Sequence, residues 1–406
     1  MRYIVLLLLS LSLMTPALAQ DNASQWEENL DTLVAELPQR HTDPFHNISE
    51  ADFLAEAERL RSDLPTLNDD EALIRMAALV ALIGDSHTTL YWDMRDPLFP
   101  MSLLPLEDGI YPIAVYPDAA DVLGARLVEI NGQPIEEVIA QIAMIIPHEN
   151  EAWLNAQLPN FLIRSEVMIG LGIIETSEFI PWTFETQAGE TVTMELTAQA
   201  PEHLNVGGMQ TARPLDQFPR TESNNGYYWL ELFDDGTLYL KYNTAADAPD
   251  LPFSRVMEII LTALVEQPVE RLVIDLRSNT GGNSAILDPL ITALKDNPIN
   301  TPGKLFVIIG SRTYSSALLN AFRLSQETEA VLIGQPTGGA PNHFGEVRTF
   351  DLPHFDLTVS YSTNYFEMLP GVEANTLEPD ILVEWTLDDY LAGIDPFYAA
   401  VLAYEE

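Results

Sequence analysis

The second half of the chain alternates short apolar segments with longer segments of helical period, and this alternation limits the fold more than any other feature. The apolar segments are TLYLKYN (237–243), RLVIDLR (271–277), KLFVIIG (304–310) and AVLIG (330–334). Runs of this length and composition are typical of strands, the middle ones of strands buried inside a sheet. Helical segments lie between them, the first from about Pro252 to Glu266. The alternation predicts an α/β layer structure over residues 226–406.

Three further regions precede this core. Residues 20–96 carry apolar side chains three and four apart and predict a helical region. Residues 97–200 change to short apolar runs broken by Pro, Gly and Asp, which predicts a compact β-rich module. Within it, Asn131-Gly132 indicates a tight turn, and Ile135 to Ile146 has helical spacing. Residues 201–225 show no period and are interpreted as a linker.

The first nineteen residues are typical of an export signal. Met1-Arg2 is followed by the apolar run Tyr3 to Met14 and then by Ala17-Leu18-Ala19. This pattern predicts cleavage after Ala19 and a periplasmic or secreted protein. The apolar run is shorter than the roughly 20 residues that a membrane span needs, and no later segment reaches that length. We therefore expect no membrane span in the mature chain.

Composition excludes several classes of function. The chain has 19 Lys and Arg against 61 Asp and Glu, a formal net charge of −42, which repels phosphate backbones and excludes nucleic acid as a partner. The acidic residues are spread along the chain, as on a solvated surface. With no cysteine, there can be no disulfide, thiolate zinc site or cysteine nucleophile. The seven histidines are scattered, so neither a metal site nor a cofactor is expected, and nothing here determines the oligomeric state.

Three short segments are candidates for chemistry. Asn279-Thr280-Gly281-Gly282 follows a strand and could expose N–H groups to an oxyanion, although glycines after a strand more often form only a turn. Arg312 to Ala317 joins a strand to a helix and holds two serines, either a nucleophile or a helix N-cap. Gly84 to Thr89 contains His87, a candidate base or a structural histidine. The remaining histidines have no comparable setting: His41, His46, His148, His203, His343 and His354.

Taken in order, the motifs resemble a known family. They are GDSHTTL, LVEINGQPI, VIDLRSNTGGNS, IIGSRTYSSALLNAF, IGQPTGGAPN and VEANTLEPDI. This set is similar to the C-terminal processing, or tail-specific, serine proteases, in the branch that includes the tricorn core protease. The resemblance covers nearly all of the mature chain and is strongest from Tyr239 to Val383. It implies a ClpP/crotonase-like spiral core with a PDZ-like module and an N-terminal helical region.

The resemblance also implies roles for individual residues. Ser315 takes the place of the nucleophile, and the N–H groups of Ser316 and of Gly281 or Gly282 form the oxyanion hole. The serine–lysine branch of the family has a lysine where this chain has Ala340, and no lysine follows Lys304. The tricorn-like branch instead uses a serine–histidine pair and a late glutamate. The corresponding residues here are Ser86, His87 and Glu373.

The implied function is an exported serine endopeptidase that hydrolyses peptides or unfolded protein tails. A histidine base predicts that activity falls below about pH 6. The PDZ-like module lacks the glycine-leucine-glycine carboxylate loop, for which Leu104 to Gly109 is a poor substitute. Two alternatives stay open: a ligand-binding protein on the same scaffold, as in interphotoreceptor retinoid-binding protein, and an inactive scaffold that presents peptides.

Overall fold

A computed structural model of the chain describes residues 16–93, 97–204, 206–223 and 226–405. Most of the predicted export signal lies outside these residues. The N-terminal region forms three helices, α1 (Pro16–Arg40), α2 (Glu50–Asp63) and α3 (Asp69–Ala81). Asn68 begins α3 with a capping box, because its side chain accepts from the Glu71 N–H while the Glu71 carboxylate accepts from the Asn68 N–H.

A short strand, β1 (Leu90–Tyr91), follows α3, and a β-rich region with three helices comes next. Its elements are β2 (Met101–Leu106), β3 (Gly109–Val115), β4 (Arg126–Ile130), β5 (Gln133–Pro134), α4 (Ile135–Ala143), α5 (Glu151–Leu162), α6 (Ser165–Gly170), β6 (Ile180–Glu185), β7 (Thr191–Leu196) and β8 (Gln210–Thr211). They build two sheets, with strand orders β2-β3-β8 and β5-β4-β6-β7. Asn131 and Gly132 have φ of 51° and 76° and form the predicted tight turn between β4 and β5.

The core sheet has six strands, with β16 (Ile381–Leu382) at one edge, in the order β16-β13-β12-β11-β10-β9. Its chain segments are β9 (Tyr228–Leu232), β10 (Thr237–Tyr242), α7 (Phe253–Glu266), β11 (Arg271–Asp275), α8 (Asp288–Lys295), β12 (Leu305–Ile309), α9 (Ser316–Glu327) and β13 (Val331–Gly334). Strands β10 to β13 are parallel, and every residue of β12 is buried. The apolar segments of the sequence are therefore the strands of a buried sheet with helices between them.

A long hairpin after the core sheet connects the two ends of the chain. It consists of β14 (Asn342–Asp351) and β15 (Thr358–Glu367), and β15 also pairs with β1, where Leu90 lies opposite Val359. This pairing places the segment just before β1, which contains His87, beside the hairpin that follows the core sheet. The chain then continues through β16 (Ile381–Leu382), α10 (Leu387–Ala392) and α11 (Pro396–Leu402).

Apolar packing divides the molecule into three clusters. One combines the N-terminal helices with the β-rich region and the β14–β15 hairpin, and the other two cover the two faces of the core sheet. The segment interpreted as a linker contributes β8 and buries Arg213, whose guanidinium binds Glu222 and the carbonyl of Tyr390. Across the part of the chain that the structure describes, no helix combines the length and apolar character of a membrane span.

Candidate active site

Ser315 lies between β12 and α9, in a backbone conformation that residues other than glycine rarely adopt. Its φ is 52° and its ψ is −125°. Residues held in such regions are strained by about 1–3 kcal/mol, and they concentrate at functional sites. Although Ser315 occupies the N-cap position of α9, its side chain makes no capping hydrogen bond. The alternative of a simple N-cap therefore does not account for this serine.

The glycine turn after β11 contacts Ser315 closely. A Cβ atom added to Gly281, whose φ is 113°, would lie 2.8 Å from the Ser315 Cβ and 3.3 Å from its Oγ. A Cβ on Gly282 would lie 2.3 Å from the Ala245 carbonyl oxygen. Both positions therefore require glycine, so the turn and the serine form one compact unit.

The N–H groups around Ser315 are not equivalent. The Gly281 N–H donates to Asn279 Oδ1 at 2.9 Å. Among the described residues, the Gly282 and Ser316 N–H groups have no acceptor. The Ser316 hydroxyl donates to the Gly282 carbonyl at 2.7 Å and holds the two residues together. Of the two glycines named from the resemblance, Gly282 is thus the free donor and Gly281 is occupied within the turn.

Buried hydrogen bonds tie the two loops to each other. Asn279 Nδ2 donates to the Tyr242 carbonyl at 2.8 Å, and the Tyr314 N–H donates to the Asn279 carbonyl at 3.1 Å. Thr313 Oγ1 donates to the Leu276 carbonyl at 2.9 Å. Since Asn279 and Thr313 are fully buried, these bonds are protected from water and can maintain the strained conformation of Ser315.

His87 lies in this region, but its direct contact is with Tyr314. Its Nδ1 lies 2.7 Å from the Tyr314 hydroxyl, and the two rings stack with centroids 4.5 Å apart. His87 Nε2 is buried and has no hydrogen-bond partner among the described residues. Ser315 Oγ likewise makes no hydrogen bond to a described residue. The structure therefore brings His87 to the residue next to Ser315.

Ser86 connects the same tyrosine to a carboxyl group. Its hydroxyl lies 2.5 Å from the Tyr314 hydroxyl, and its N–H donates to Glu149 Oε1 at 3.1 Å. The Glu149 Oε2 atom is buried without a partner in the described chain. Burial, together with the charge of Asp85, raises the pKa of Glu149 to about 7.

Glu149 reaches the site because the loop between α4 and α5 docks on the core. The next residue, Asn150, caps α5 by accepting from the Trp153 N–H at 2.8 Å. Its Nδ2 lies within bonding distance of three carbonyl oxygens of the core, those of Thr337, Gly338 and Asn375, at 3.2, 3.1 and 2.5 Å. These bonds attach the N-terminus of α5 to the glycine turn that follows β13.

Asp85 is a buried acceptor at the centre of the N-terminal part of the site. Its carboxylate accepts from His41 Nε2 at 3.0 Å, from the hydroxyls of Thr88 and Ser362 at 2.6 Å each, and from the His87 N–H at 2.9 Å. Burial alone would raise its pKa, but the bond from His41, the charge of His87 and the two hydroxyls lower the pKa to about 2.

The pKa of His87 is also displaced. Burial lowers it to about 4, and the negative charge of Asp85 offsets only part of that effect. His343 lies on the imidazole with ring centroids 5.6 Å apart, and its charge is part of the reason that the pKa falls to about 4. His87 is therefore neutral at pH 6, which moves the loss of activity expected from protonation of His87 from about pH 6 to lower pH.

Glu373 stands apart from these residues. It is exposed in the segment between β15 and β16, and no hydrogen bond or ion pair joins it to Ser86 or His87. The carboxyl group beside Ser86 belongs to Glu149. Leu104 to Gly109, the segment compared with a carboxylate-binding loop, forms the end of β2, a turn and the start of β3, with Leu106 paired to Gly109.

Several residues of the site were not predicted from the sequence. Asp85 and Tyr314 adjoin Ser86 and Ser315 in the chain, so their positions could have drawn attention to them. His41, Glu149 and His343 have no local motif, yet His41 bonds to Asp85 and His343 stacks on His87. Potential ligand atoms of Asp85, His87 and Glu149 lie within 4.8 Å of one another, but Asp85 already accepts four donors from the protein.

Comparison with known proteins identifies the fold. No family model and no curated protein matches the chain. Among solved structures it is similar to a mutant of CPAF, with a TM-score of 0.66 and 14% identity over 95% of this chain and 99% of that one. It is also similar to mature CPAF, with a TM-score of 0.64 and 15% identity over 93% and 96% of the two chains. The complex of mature CPAF with lactacystin aligns with a TM-score of 0.64 and 14% identity over 94% and 97%. The chain has the CPAF fold, which confirms the predicted fold class.

Proposed function

We propose that the protein is a serine-type peptidase in which Ser315 is the nucleophile. The conformation of Ser315 carries this proposal: a serine at φ 52°, at the start of a helix, whose hydroxyl is not used for capping. A strained turn between a strand and a helix presents a serine hydroxyl to a substrate and places the next N–H beside it. The close approach of Gly281 to Ser315 supports the same role.

The oxyanion hole in this proposal consists of the N–H groups of Gly282 and Ser316. Both lack an acceptor within the described chain, and α9 directs its positive end toward the same place. Attack of Ser315 Oγ on a peptide carbonyl forms a C–O bond and moves negative charge onto the carbonyl oxygen. Each donor that stabilises this charge contributes about 3–4 kcal/mol to lowering the barrier.

His87 is the proposed general base and acid. Its Nε2 takes the proton from Ser315 as the C–O bond forms and returns it to the leaving amine as the C–N bond breaks. Water then repeats the sequence on the acyl-enzyme and releases the acid product. The proposal requires the buried Nε2 to reach Ser315 when substrate is bound, as catalytic hydrogen bonds often tighten only in the complex. Ser86 and Glu149 complete the site in place of Glu373, which is exposed.

A groove between the β-rich region and the core is a suitable place for a peptide. It has a volume of about 490 Å³, and its lining includes Pro105 and Leu106 from β2, Asn150 from the α5 cap, and Ser311 and Gln335 from the core. Ser311 belongs to the loop that carries Ser315. The substrates in this proposal are peptides or unfolded protein tails, met outside the cytoplasm as the predicted export signal implies. The PDZ-like module would support this groove.

Covalent labelling tests the proposed function directly. A fluorophosphonate should modify folded protein on Ser315, and lactacystin, found in complex with CPAF, is a second probe of the same hydroxyl. Ser254→Ala is the control, since it removes an exposed serine hydroxyl on α7, and the variant should label normally on Ser315. Absence of an adduct on Ser315 in folded protein would support the alternative of a ligand-binding protein on this scaffold.

A further inference from the structure

We propose that Glu149, acting through the hydroxyls of Ser86 and Tyr314, holds His87 in the tautomer that carries its proton on Nδ1. These three are positioning residues: they leave Nε2 with the lone pair that a general base needs. The catalytic role of this tautomer rests on the proposed function. The tautomer itself can be measured in protein that hydrolyses no substrate.

The contacts form a continuous chain of polar groups. Tyr314 Oη lies 2.7 Å from His87 Nδ1 and 2.5 Å from Ser86 Oγ. Ser86 adjoins Glu149, to which its N–H donates at 3.1 Å, and the Ser86 hydroxyl also lowers the pKa of that carboxyl group. Ser86, His87 and Tyr314 are buried and Glu149 is half-buried with its Oε2 atom covered, so water competes little for these hydrogen bonds.

The ionised Glu149 carboxylate determines which group is the donor in each of these hydrogen bonds. An ionised carboxylate only accepts hydrogen bonds, so in the proposed arrangement the Ser86 hydroxyl, whose own N–H already donates to Glu149, turns its single hydrogen toward that carboxylate. The Tyr314 hydroxyl then donates its own hydrogen to Ser86 Oγ. Because Tyr314 has no second hydrogen, it accepts from His87 Nδ1–H. In the neutral imidazole, a proton on Nδ1 leaves Nε2 unprotonated.

Packing keeps the tyrosine in place for this role. Its ring stacks on Trp153 with centroids 3.9 Å apart and on His87 with centroids 4.5 Å apart. The His87 N–H donates to Asp85, which fixes the backbone from which the imidazole extends. Free rotation of Tyr314 would break both stacking contacts, so its hydroxyl stays between Ser86 and His87.

We call the series Glu149, Ser86, Tyr314 and His87 the relay. Other charged and titratable groups around it change the pKa values of Glu149 and His87, but they do not take the place of Tyr314 at His87 Nδ1. Asp85 faces both Glu149 and His87, and it is bonded to His41. His343 stacks on His87 with ring centroids 5.6 Å apart, and its own Nδ1 is bonded to the Ala340 carbonyl. Asp85 Oδ1 lies 3.8 Å from His87 Nδ1, beyond hydrogen-bond distance, whereas the Tyr314 hydroxyl lies 2.7 Å from the same atom and is its hydrogen-bond partner.

Nitrogen NMR of histidine-labelled protein tests the tautomer. We would use the full chain carrying Ser315→Ala at pH 8, and assign His87 by the signals lost in His87→Gln. The expected result is an unprotonated Nε2 and a protonated Nδ1. Adding Tyr314→Phe, which keeps the ring and removes the hydroxyl, should convert His87 to a mixture of tautomers. Ser86→Ala removes the hydroxyl that contacts Tyr314 and should have the same effect on the His87 tautomer.

Tyr242→Phe is the matched control. Tyr242 is buried and its hydroxyl has no partner in the described chain, so losing that hydroxyl should leave the His87 signals unchanged. The proposal is overturned if Nε2 carries the proton in the Ser315→Ala protein. It is equally overturned if folded Tyr314→Phe and Ser86→Ala proteins both keep the original tautomer.

Peptide hydrolysis separates this inference from the proposed function. In protein with Ser315 intact, Tyr314→Phe should lower kcat on the order of 10²-fold with KM little changed, because the base loses its preferred tautomer. If Ser315→Ala retains hydrolysis, the proposed function fails while the NMR result still decides the relay. If Ser315 labels normally but Tyr314→Phe changes neither kcat nor tautomer, the relay fails and the peptidase proposal stands.

Discussion

The hydroxyl of Tyr314 and the Nδ1 atom of His87 lie 2.7 Å apart, although 227 residues separate them in the chain. Two features of the fold produce this contact. The strand that follows His87 pairs with β15, and the loop that carries Tyr314 is tied to the turn after β11 by Asn279. A position early in the chain is thereby held beside the end of a core strand, where α/β sheets place their functional groups.

Replacement of Ser315 separates chemistry from backbone strain. Ser315→Ala and Ser315→Gly both remove the hydroxyl and should both abolish peptide hydrolysis. Only glycine adopts φ 52° without strain, so Ser315→Gly should be the more stable of the two by about 1 kcal/mol. Urea unfolding followed by circular dichroism measures this difference. Equal stabilities would show that the Ser315 backbone is not strained.

The core sheet could be predicted because its signal is local. The segments RLVIDLR and KLFVIIG contain β11 and β12, and the helix expected from Pro252 to Glu266 begins one residue later, at Phe253. Each element is specified by its own run of apolar residues or by its own helical period. The β14–β15 hairpin alternates polar and apolar residues only in part, and its pairing with β1 depends on residues far away in the chain.

The site was less predictable than the sheet. The motifs around His87 and Ser315 mark two of its segments, but Glu149 belongs to no motif and enters only because Asn150 binds carbonyl oxygens of the core. His41 is likewise brought in by its bond to Asp85. In a chain with 61 acidic residues, sequence alone cannot single out the carboxyl group that comes to lie beside Ser86.

Gly281→Ala should damage both the fold and the site. The new methyl group would lie 2.8 Å from the Ser315 Cβ, and alanine is strained at φ 113°. We expect a loss of about 2–3 kcal/mol in the free energy of unfolding and loss of fluorophosphonate labelling. Gly172→Ala is the control, since Gly172 has φ 71° but open space around it. The control should lose about 1 kcal/mol and label normally; equal effects of the two variants would contradict the close contact.

The pH dependence of kcat/KM should show two steps. Above about pH 7 Glu149 is ionised and directs the relay; protonation of the Glu149 carboxyl removes that direction and lowers the rate. A second loss follows near pH 4, where His87 takes up a proton and can no longer act as a base. Glu149→Gln cannot ionise, so it should keep the lower rate through neutral pH and show only the step near pH 4. A single step near the ordinary histidine pKa in the parent enzyme would contradict this assignment.

Stability should also depend on Glu149, with a definite sign. Its pKa is raised from 4.5 to about 7 in the folded protein, so between these values the folded state holds a proton that the unfolded chain releases. The contribution of Glu149 to stability is therefore complete below pH 4.5 and is lost as pH rises through 7. Each unit of pKa corresponds to about 1.4 kcal/mol, so the parent should lose about 3 kcal/mol relative to Glu149→Gln between pH 4.5 and pH 8. Urea unfolding of both proteins at the two pH values measures this, with exposed Glu373→Gln as the control expected to show no such difference. If the stability gap between Glu149→Gln and the parent is the same at both pH values, Glu149 does not titrate as a buried carboxyl group.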